Sequence, residues 1–414
     1  MIEYMVIVLK ILTGIFWALQ IILAIYLLIP FFLLLFHVFR IRSKRRLERK
    51  YPVVNDKEYD FAAIITAHQD TRFIPPLVDS FLHQSYQRFV VYVVADDCDI
   101  SHLHFTDPRI QLLRPEKPLH AKIQSIKYAV DHFIRPHDAL VVFDSDNLVH
   151  PQYFEKLSQY FRQGFRAVQT HMLSKNTDTI FAKLDSIGHI YNTFVERQAK
   201  MELGLSSSIL GLGIAIDTEL YRQVMYKDGL GGFDKKLQAD IIKTIPQLAF
   251  AKDAIVYDEK VDDGSTLEKQ RTRWIYTYFK YFFVNWNLFV TGWKRMNFNL
   301  ILFGFTVLRP PLFITMSLAF VCLLANLFID TRFALAWAGV LVTFILSFIL
   351  IILTQSRQKG MYKAILYIPV IVVRQMSALL KIKKASKDFL KTDHIKVIYI
   401  EDLLKNEAIK ETLL

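Results

Sequence analysis

Acidic side chains gather at two places in the middle of the chain, and each group follows a short run of hydrophobic residues. The first pair is Asp96 and Asp97, and the second is Asp144 and Asp146. Single carboxylates at strand ends are also common in turns. The Asp-x-Asp spacing of the second pair, however, lets one or both side chains meet a hard divalent cation whose other ligands are phosphate oxygens and water. This spacing is therefore compatible with a divalent cation beside a phosphate-bearing substrate.

Alternating strand and helix patterns surround these carboxylates. Residues 59–67, 88–95 and 139–143 read as short buried strands, and residues 75–85 and 122–133 between them have helical periodicity. Such alternation predicts an α/β domain with a mostly parallel sheet, and ligands in such sheets bind beyond the carboxyl ends of the strands. Both acidic pairs fall at those ends.

The composition separates a globular middle from apolar ends. The chain has 414 residues, of which 53% are hydrophobic, and it contains two cysteines, Cys98 and Cys322, which is too few for a disulfide framework. The net charge of +12 raises the question of nucleic-acid binding. Its densest basic runs, at 40–50 and 381–391, instead flank apolar segments, as expected beside anionic lipid. We therefore expect a lipid bilayer and no nucleic acid as partner.

Three apolar segments are long enough to cross a membrane. Residues 11–39 carry no charge and predict an uncleaved anchor, and residues 311–329 and 333–354 predict a hairpin closed at Asp330. The basic residues after both regions place the middle domain in the cytosol. The apolar run at 364–373 is too short to span and predicts an interfacial helix.

The most specific pattern lies just before the hairpin. Residues 270–274 read Gln-Arg-Thr-Arg-Trp, a complete Gln-x-x-Arg-Trp motif. With the acidic turns, it resembles the GT-A domain of family 2 glycosyltransferases, in the membrane-bound branch of cellulose, chitin and hyaluronan synthases, over residues 59–286. Arg273 can bind a leaving diphosphate in bidentate fashion, and Trp274 offers a flat face to a sugar. Alternatively, these side chains only anchor a helix at the bilayer surface.

The resemblance implies a role for each matched position. The implied donor-binding residues are Ala67, Asp70, Asp96, Lys122, Asp144 and Arg273. The implied acceptor-binding residues are Gly211, Gly213, Gln270 and Trp274. Asp144 and Asp146 are the implied ligands of Mg²⁺ or Mn²⁺.

The expected catalytic base is Asp240, which we expect just ahead of a helix. The family has Glu-Asp at this point, whereas this chain has Gln238, Ala239 and Asp240, so the acid before the base is missing. A plainer interpretation is that Asp240 is an acidic residue favoured at a helix N-terminus.

These implications predict an inverting glycosyltransferase that takes a sugar from a nucleotide diphosphate donor, UDP by resemblance, and extends a saccharide in cell-surface polysaccharide synthesis. The alternatives are a single addition to a lipid-linked acceptor, or a silent nucleotide-sugar-binding subunit. We expect a multi-pass protein of the inner (plasma) membrane, with export or assembly subunits as further partners. The expected divisions are an anchor (1–40), a basic linker (41–58), a GT-A domain (59–270), an interfacial aromatic region (271–298), a transmembrane hairpin (299–355) and an interfacial and basic tail (356–414).

Overall fold

A computed structural model describes residues 2–41, 51–224, 232–356, 360–380 and 395–405. Most of the two basic runs, at 42–50 and 381–394, lies outside these ranges. In the described part, the first elements are a long helix, α1 (Ile2–Ile41), and the strand β1 (Phe61–His68). They are followed by α2 (Ile74–Leu82), β2 (Phe89–Asp96), β3 (Ile110–Leu113), α3 (Lys122–Asp131), β4 (Ala139–Asp144), β5 (Leu148–Val149) and α4 (Tyr153–Arg162). The predicted strands and helices of this part are confirmed to within a few residues.

The second half of the domain begins with β6 (Ala167–Ser174) and ends at a long helix. Its elements are β6, α5 (Ile180–Thr193), a π-helix (Phe194–Gln198), α6 (Ala199–Leu203), β7 (Ile214–Asp217), α7 (Thr218–Val224), α8 (Phe233–Thr244), β8 (Ala249–Asp258) and α9 (Gly264–Lys280). The remaining helices are α10 (Phe282–Lys294), α11 (Phe298–Val307), α12 (Leu312–Ile329), α13 (Thr331–Gln355), α14 (Met361–Ile365) and α15 (Ile368–Leu380).

The described strands form one eight-stranded sheet in the order β3-β2-β1-β4-β7-β6-β8-β5. The prediction of a mostly parallel sheet is wrong, because β7 runs antiparallel to both β4 and β6, and β5 runs antiparallel to β8. The chain enters β7 at Gly213, whose backbone N–H donates to Val142 O near the carboxyl end of β4 at 2.7 Å. A strand that starts where its neighbour finishes must run back in the opposite direction. The sheet is therefore mixed.

Hydrophobic residues cover both faces of the sheet. Alternate residues of β2 belong to different cores, with Val91 and Val93 on one face and Tyr92 and Val94 on the other. Helices α2 and α4 cover the first face, and α3, α7 and α8 cover the second. This two-sided burial fixes the strand register, which sets His68 opposite Asp96 and Thr66 opposite Asp144. The carboxyl ends of β1, β2 and β4 therefore lie together at one edge.

In the described residues, three helices are long and apolar enough to cross a membrane: Glu3–Arg40, Leu312–Ile329 and Thr331–Gln355. A polar contact joins them, because Gln20 Oε1 accepts hydrogen bonds from Asn326 Nδ2 at 2.7 Å and Trp337 Nε1 at 2.6 Å. The predicted hairpin break at Asp330 is confirmed, since its side chain accepts from Arg332 N and caps α13. The apolar run at 364–373 is divided between α14 and α15.

Candidate donor site

Hydrogen bonds between its own residues stabilise the turn after β4. Asn147 N donates to Asp144 O at 3.1 Å, and Asn147 Oδ1 accepts from Asp144 N at 2.9 Å. The amide of Asn147 also donates to Asp258 Oδ1 at the end of β8, at 3.1 Å. Lys175 Nζ, at the end of β6, donates to Asp146 O at 2.7 Å. Two neighbouring strands therefore hold the Asp-x-Asp turn in one conformation.

The two carboxylates of the turn differ in exposure. The side chain of Asp144 is 38% exposed, whereas Asp146 is buried. Burial lowers the pKa of the neighbouring Lys175 ammonium, while Asp146, Glu259 and Asp258 raise it. Asp144 consequently keeps part of its carboxylate accessible to solvent, and Asp146 lies deeper, beside a buried cation.

Lys122 contacts both Asp144 and the carbonyl of Gly211. Lys122 is the first residue of α3, and its Nζ donates to Asp144 Oδ1 at 2.5 Å and to Gly211 O at 2.7 Å. Gly213 has a φ of +63°, and a Cβ there would lie 2.5 Å from Thr170 Oγ1. Only glycine fits this close approach of the loop to β6. The glycine loop, the α3 N-terminus and the Asp-x-Asp turn thus form one wall.

Asp96 is buried and fully engaged within the protein. Its Oδ1 accepts from Leu119 N at 2.7 Å, its Oδ2 accepts from His120 N at 3.1 Å, and His68 Nδ1 lies 2.9 Å from Oδ2. The carboxylate therefore shapes the loop that leads into α3. Its neighbour Asp97 is exposed and accepts from Gln69 Nε2 at 2.7 Å.

Two of the donor-site residues named from the sequence lie on or just after β1. Ala67 is buried in the core, so its side chain faces away from the cleft. Asp70 pairs with Arg72, whose Nη2 lies 2.8 Å from Asp70 Oδ2.

The Gln-x-x-Arg-Trp motif lies in the middle of α9. Burial lowers the pKa of the Arg273 guanidinium, and the charges of Asp144 and Asp234 raise it. Gln270, one turn earlier, has a buried Oε1 without a partner among the described residues. Trp274 is 46% exposed, and the guanidinium of Arg271 lies 4.2 Å from its ring centroid.

The position expected of Asp240 is wrong. Helix α8 begins at Phe233, so Asp240 lies inside it, where Lys236 Nζ is 2.8 Å from Oδ2 and Lys243 Nζ is 4.0 Å from Oδ1. The acid in the first turn of α8 is Asp234, and its charge acts on Arg273. The sequence pattern that could have identified Asp234 is the Gly-Gly-Phe-Asp run at 231–234, because an acidic residue shortly after glycine is typical of the first turn of a helix.

The position directly before Asp240 is the buried Ala239, and the residue before that, Gln238, makes a structural contact. It is buried, and its Oε1 accepts from Ile209 N at 2.6 Å, which tethers the loop that carries Gly211. A backbone N–H needs an acceptor here, and a neutral amide provides one without burying a charge.

No group of three His, Cys, Asp or Glu side chains within the described ranges could hold a metal ion by itself. Asp144 and Asp146 offer carboxylate oxygens, which suit a hard divalent cation. A cation there would need oxygen ligands from its substrate.

Comparison with known proteins decides the family. Residues 59–277 match the model described as glycosyltransferase like family 2. The chain belongs to this family. No curated protein matches it.

Solved structures resemble the chain in fold. The mannosyltransferase PcManGT from Pyrobaculum calidifontis, in complex with GDP-Man and Mn²⁺, has a TM-score of 0.53 at 15% identity, over 89% of this chain and 100% of that one. S. aureus TarS 1–349 with UDP-GlcNAc has a TM-score of 0.37 at 14% identity, over 49% and 59%. GalNAc-T7 with UDP, GalNAc and Mn²⁺ has a TM-score of 0.39 at 11% identity, over 50% and 44%. The first likeness shows an α/β fold with a mixed sheet like that of GT-A glycosyltransferases.

Proposed function

We propose that this protein is a membrane-associated glycosyltransferase that takes its sugar from a nucleotide diphosphate donor, UDP in our proposal. The convergence of Asp144, Lys122, the Gly211 carbonyl and the charge of Arg273 at one edge of the sheet carries this conclusion. A nucleotide-sugar needs such a mixture, because its diphosphate requires cations while its sugar requires hydrogen-bonding groups. The family and the nucleotide complexes of similar folds support the assignment.

The diphosphate would lie between Lys122 and Arg273. Lys122 stands at the first position of α3, where the helix N-terminus also favours an anion. Arg273 is largely removed from water, so its attraction for a leaving diphosphate is weakly screened. Asp144 and Asp146 would hold Mg²⁺ or Mn²⁺, which when bound supplies charge neutralisation at the diphosphate. In the structure, the Lys122 ammonium pairs with Asp144. When the donor binds, this ammonium would pair with its phosphate instead.

The acceptor hydroxyl needs a base on the side opposite the diphosphate. We assign this role to Asp234 rather than Asp240. Asp234 pairs with one lysine, Lys235, at 3.3 Å, and its charge acts on Arg273 as that of Asp144 does. Asp240 pairs with two lysines of its own helix. A single displacement that inverts the anomeric centre requires only a positioned carboxylate. Gln270, Trp274 and the glycine loop would then line the acceptor side.

The acceptor is proposed to be a growing saccharide at the cytosolic face of the inner membrane, in cell-surface polysaccharide synthesis by the Gln-x-x-Arg-Trp branch. Export or assembly subunits would then receive the product. The domain boundaries given above remain part of this proposal. Single addition to a lipid-linked acceptor is the second candidate, supported by the small bundle of three apolar helices in the described residues.

The test is a screen of radiolabelled UDP-sugars with purified protein in membrane vesicles, followed by sizing of the product. One sugar should be transferred, and UDP release should depend on Mn²⁺ or Mg²⁺. A ladder of products means polymerisation, and one discrete shift means single addition. Binding of UDP without any release, with acceptor lipids present, would instead identify a silent nucleotide-sugar-binding subunit.

A further inference from the structure

A group of buried charges lies where the domain meets the membrane helices, away from the Asp-x-Asp turn. We name Arg197, Lys200 and Arg309 the basic cluster. Their side chains are only 5 to 13% exposed, and Glu196, at 13%, lies among them. Arg197 belongs to the π-helix, Lys200 to α6, and Arg309 to the connection between α11 and α12.

One carboxylate serves two of the three cations. Glu196 Oε2 accepts from Lys200 Nζ at 2.7 Å, and Glu196 Oε1 accepts from Arg309 Nη2 at 2.8 Å. Arg197 donates through Nε to Ser208 O at 3.1 Å. Its Nη1 is buried and has no hydrogen-bond partner among the described residues. The cluster therefore has a donor ready for a further acceptor.

The charges do not balance. Burial lowers the pKa of Arg197 to about 10, and Glu196 is the one carboxylate that acts against this effect. Burial also lowers the pKa of Lys200, which Glu196 raises while Arg309 and Arg197 lower it further. Three buried cations beside one described carboxylate leave an excess of positive charge, and such an excess is costly unless an anion joins it.

The backbone at this point is itself unusual. The five residues Phe194–Gln198 form a π-helix between α5 and α6. A π-helical turn inside an α-helical run is rare and occurs often at functional sites. Here the turn carries both Glu196 and Arg197.

The cluster connects the acceptor loop to the membrane side. Arg197 holds Ser208, and Gly211, three residues later, contacts Lys122 beside Asp144. On the other side, Lys200 Nζ donates to Thr306 Oγ1 at 2.8 Å on α11. Phe305, which also lies on α11, stacks on Tyr26 of α1, with 4.6 Å between the ring centroids. An anion bound here would lie between the spanning helix and the loop that enters the candidate site.

We propose that the basic cluster binds the phosphate of a lipid acceptor, with the lipid chain between the membrane helices and its head group directed to the Gly211 loop. This inference rests on the proposed glycosyltransferase function, takes up its second candidate, the lipid-linked acceptor, and gives that acceptor a chemical class. Arginine and lysine at partly buried positions are the groups that recognise phosphate, and Arg197 has the open donor.

The experiment measures binding of hexadecyl phosphate, hexadecanol and inorganic phosphate to the full chain in nonionic detergent micelles. The wild type should bind hexadecyl phosphate well and hexadecanol poorly. Arg197→Gln keeps a donor for Ser208 O and removes the charge, and it should weaken hexadecyl phosphate binding by about 10- to 100-fold, as expected for one charged hydrogen bond. Arg295→Gln is the matched control, because exposed Arg295 also donates to a backbone carbonyl, Lys243 O at 3.0 Å, and should match the wild type.

Affinity for UDP and the melting temperature report whether each variant is folded, and Lys200→Gln repeats the test if Arg197→Gln does not fold. Unchanged hexadecyl phosphate binding in the folded variant would overturn the proposal. Inorganic phosphate binding as tightly as hexadecyl phosphate would overturn it too, because the lipid would then contribute nothing. These measurements use no sugar donor, so failure to bind UDP is a separate result that counts against the proposed function alone.

Discussion

Replacing Asp234 by asparagine tests the assignment of the catalytic base. The change keeps the size of a side chain in the first turn of α8 and removes only its charge. Loss of a general base typically slows a reaction about 10²- to 10⁴-fold, or roughly 3 to 5 kcal/mol in the barrier. Loss of an acidic residue from a first turn costs about 0.3 to 1 kcal/mol in stability. Transfer should therefore fall by orders of magnitude while the protein stays folded.

The assay is transfer of radiolabelled sugar to acceptor membranes, with UDP affinity measured in parallel. The charge of Asp234 also acts on Arg273. In the variant, however, Arg273 keeps its positive charge, and Asp144 still acts on it. We expect UDP affinity to change by less than about threefold, since the base does not contact the diphosphate.

Asp240→Asn is the matched control. Asp240 pairs with Lys236 and Lys243 on the same helix, and a partly exposed pair of this kind contributes about 0.3 to 0.5 kcal/mol to stability. Its transfer rate should stay within about twofold of the wild type. The reverse pattern, with Asp240→Asn inactive and Asp234→Asn active, would refute our assignment and restore the one made from sequence.

Three further predictions follow from other contacts. Asp146→Ala should weaken Mn²⁺-dependent UDP binding, and unchanged metal dependence would show that the ion is held elsewhere. Gly213→Ala should lower stability by about 2 to 4 kcal/mol in thermal unfolding, because its Cβ would lie 2.5 Å from Thr170 Oγ1 at a φ of +63°, whereas Gly211→Ala has open space and should melt like the wild type. Glu196 has its pKa lowered from 4.5 to about 2, with burial opposing Lys200 and Arg309. Its contribution should be complete above pH 4.5 and lost as the pH falls from there towards 2, and Glu196→Gln should flatten that acid limb of unfolding.

The strands and the acidic turns could be predicted from the sequence because the local residue pattern and the burial agree there. A continuous apolar run such as Val90–Val94 suits only a strand buried on both faces, and an acid at its end must lie at the sheet edge. The direction of β7 could not be predicted from the sequence. It depends on where the loop from Ser206 delivers the chain, and this is a tertiary contact between Gly213 and Val142.

The choice between Asp234 and Asp240 shows a second limit. Both are acids within one amphipathic stretch, and a motif in one sequence does not say which faces the sheet edge. Our assignment rests on the start of α8 at Phe233, which puts Asp234 in the first turn beside Lys235 and leaves Asp240 near two lysines. The clustering of buried charges around Glu196 could not be predicted from the sequence either, since Arg309 lies more than a hundred residues further along the chain.

The position of Arg273 depends on the membrane helices through α9 and α5. Arg271, two residues before it, donates to the buried Asp185 of α5 at 2.5 Å. Further along α5, Tyr191 packs on Phe348 of the spanning helix α13, with ring centroids 5.0 Å apart. A buried ion pair that loses one partner leaves the other charge uncompensated, so α9 cannot easily move independently of α5. Arg273 is therefore held at a fixed position relative to the long apolar helix α13.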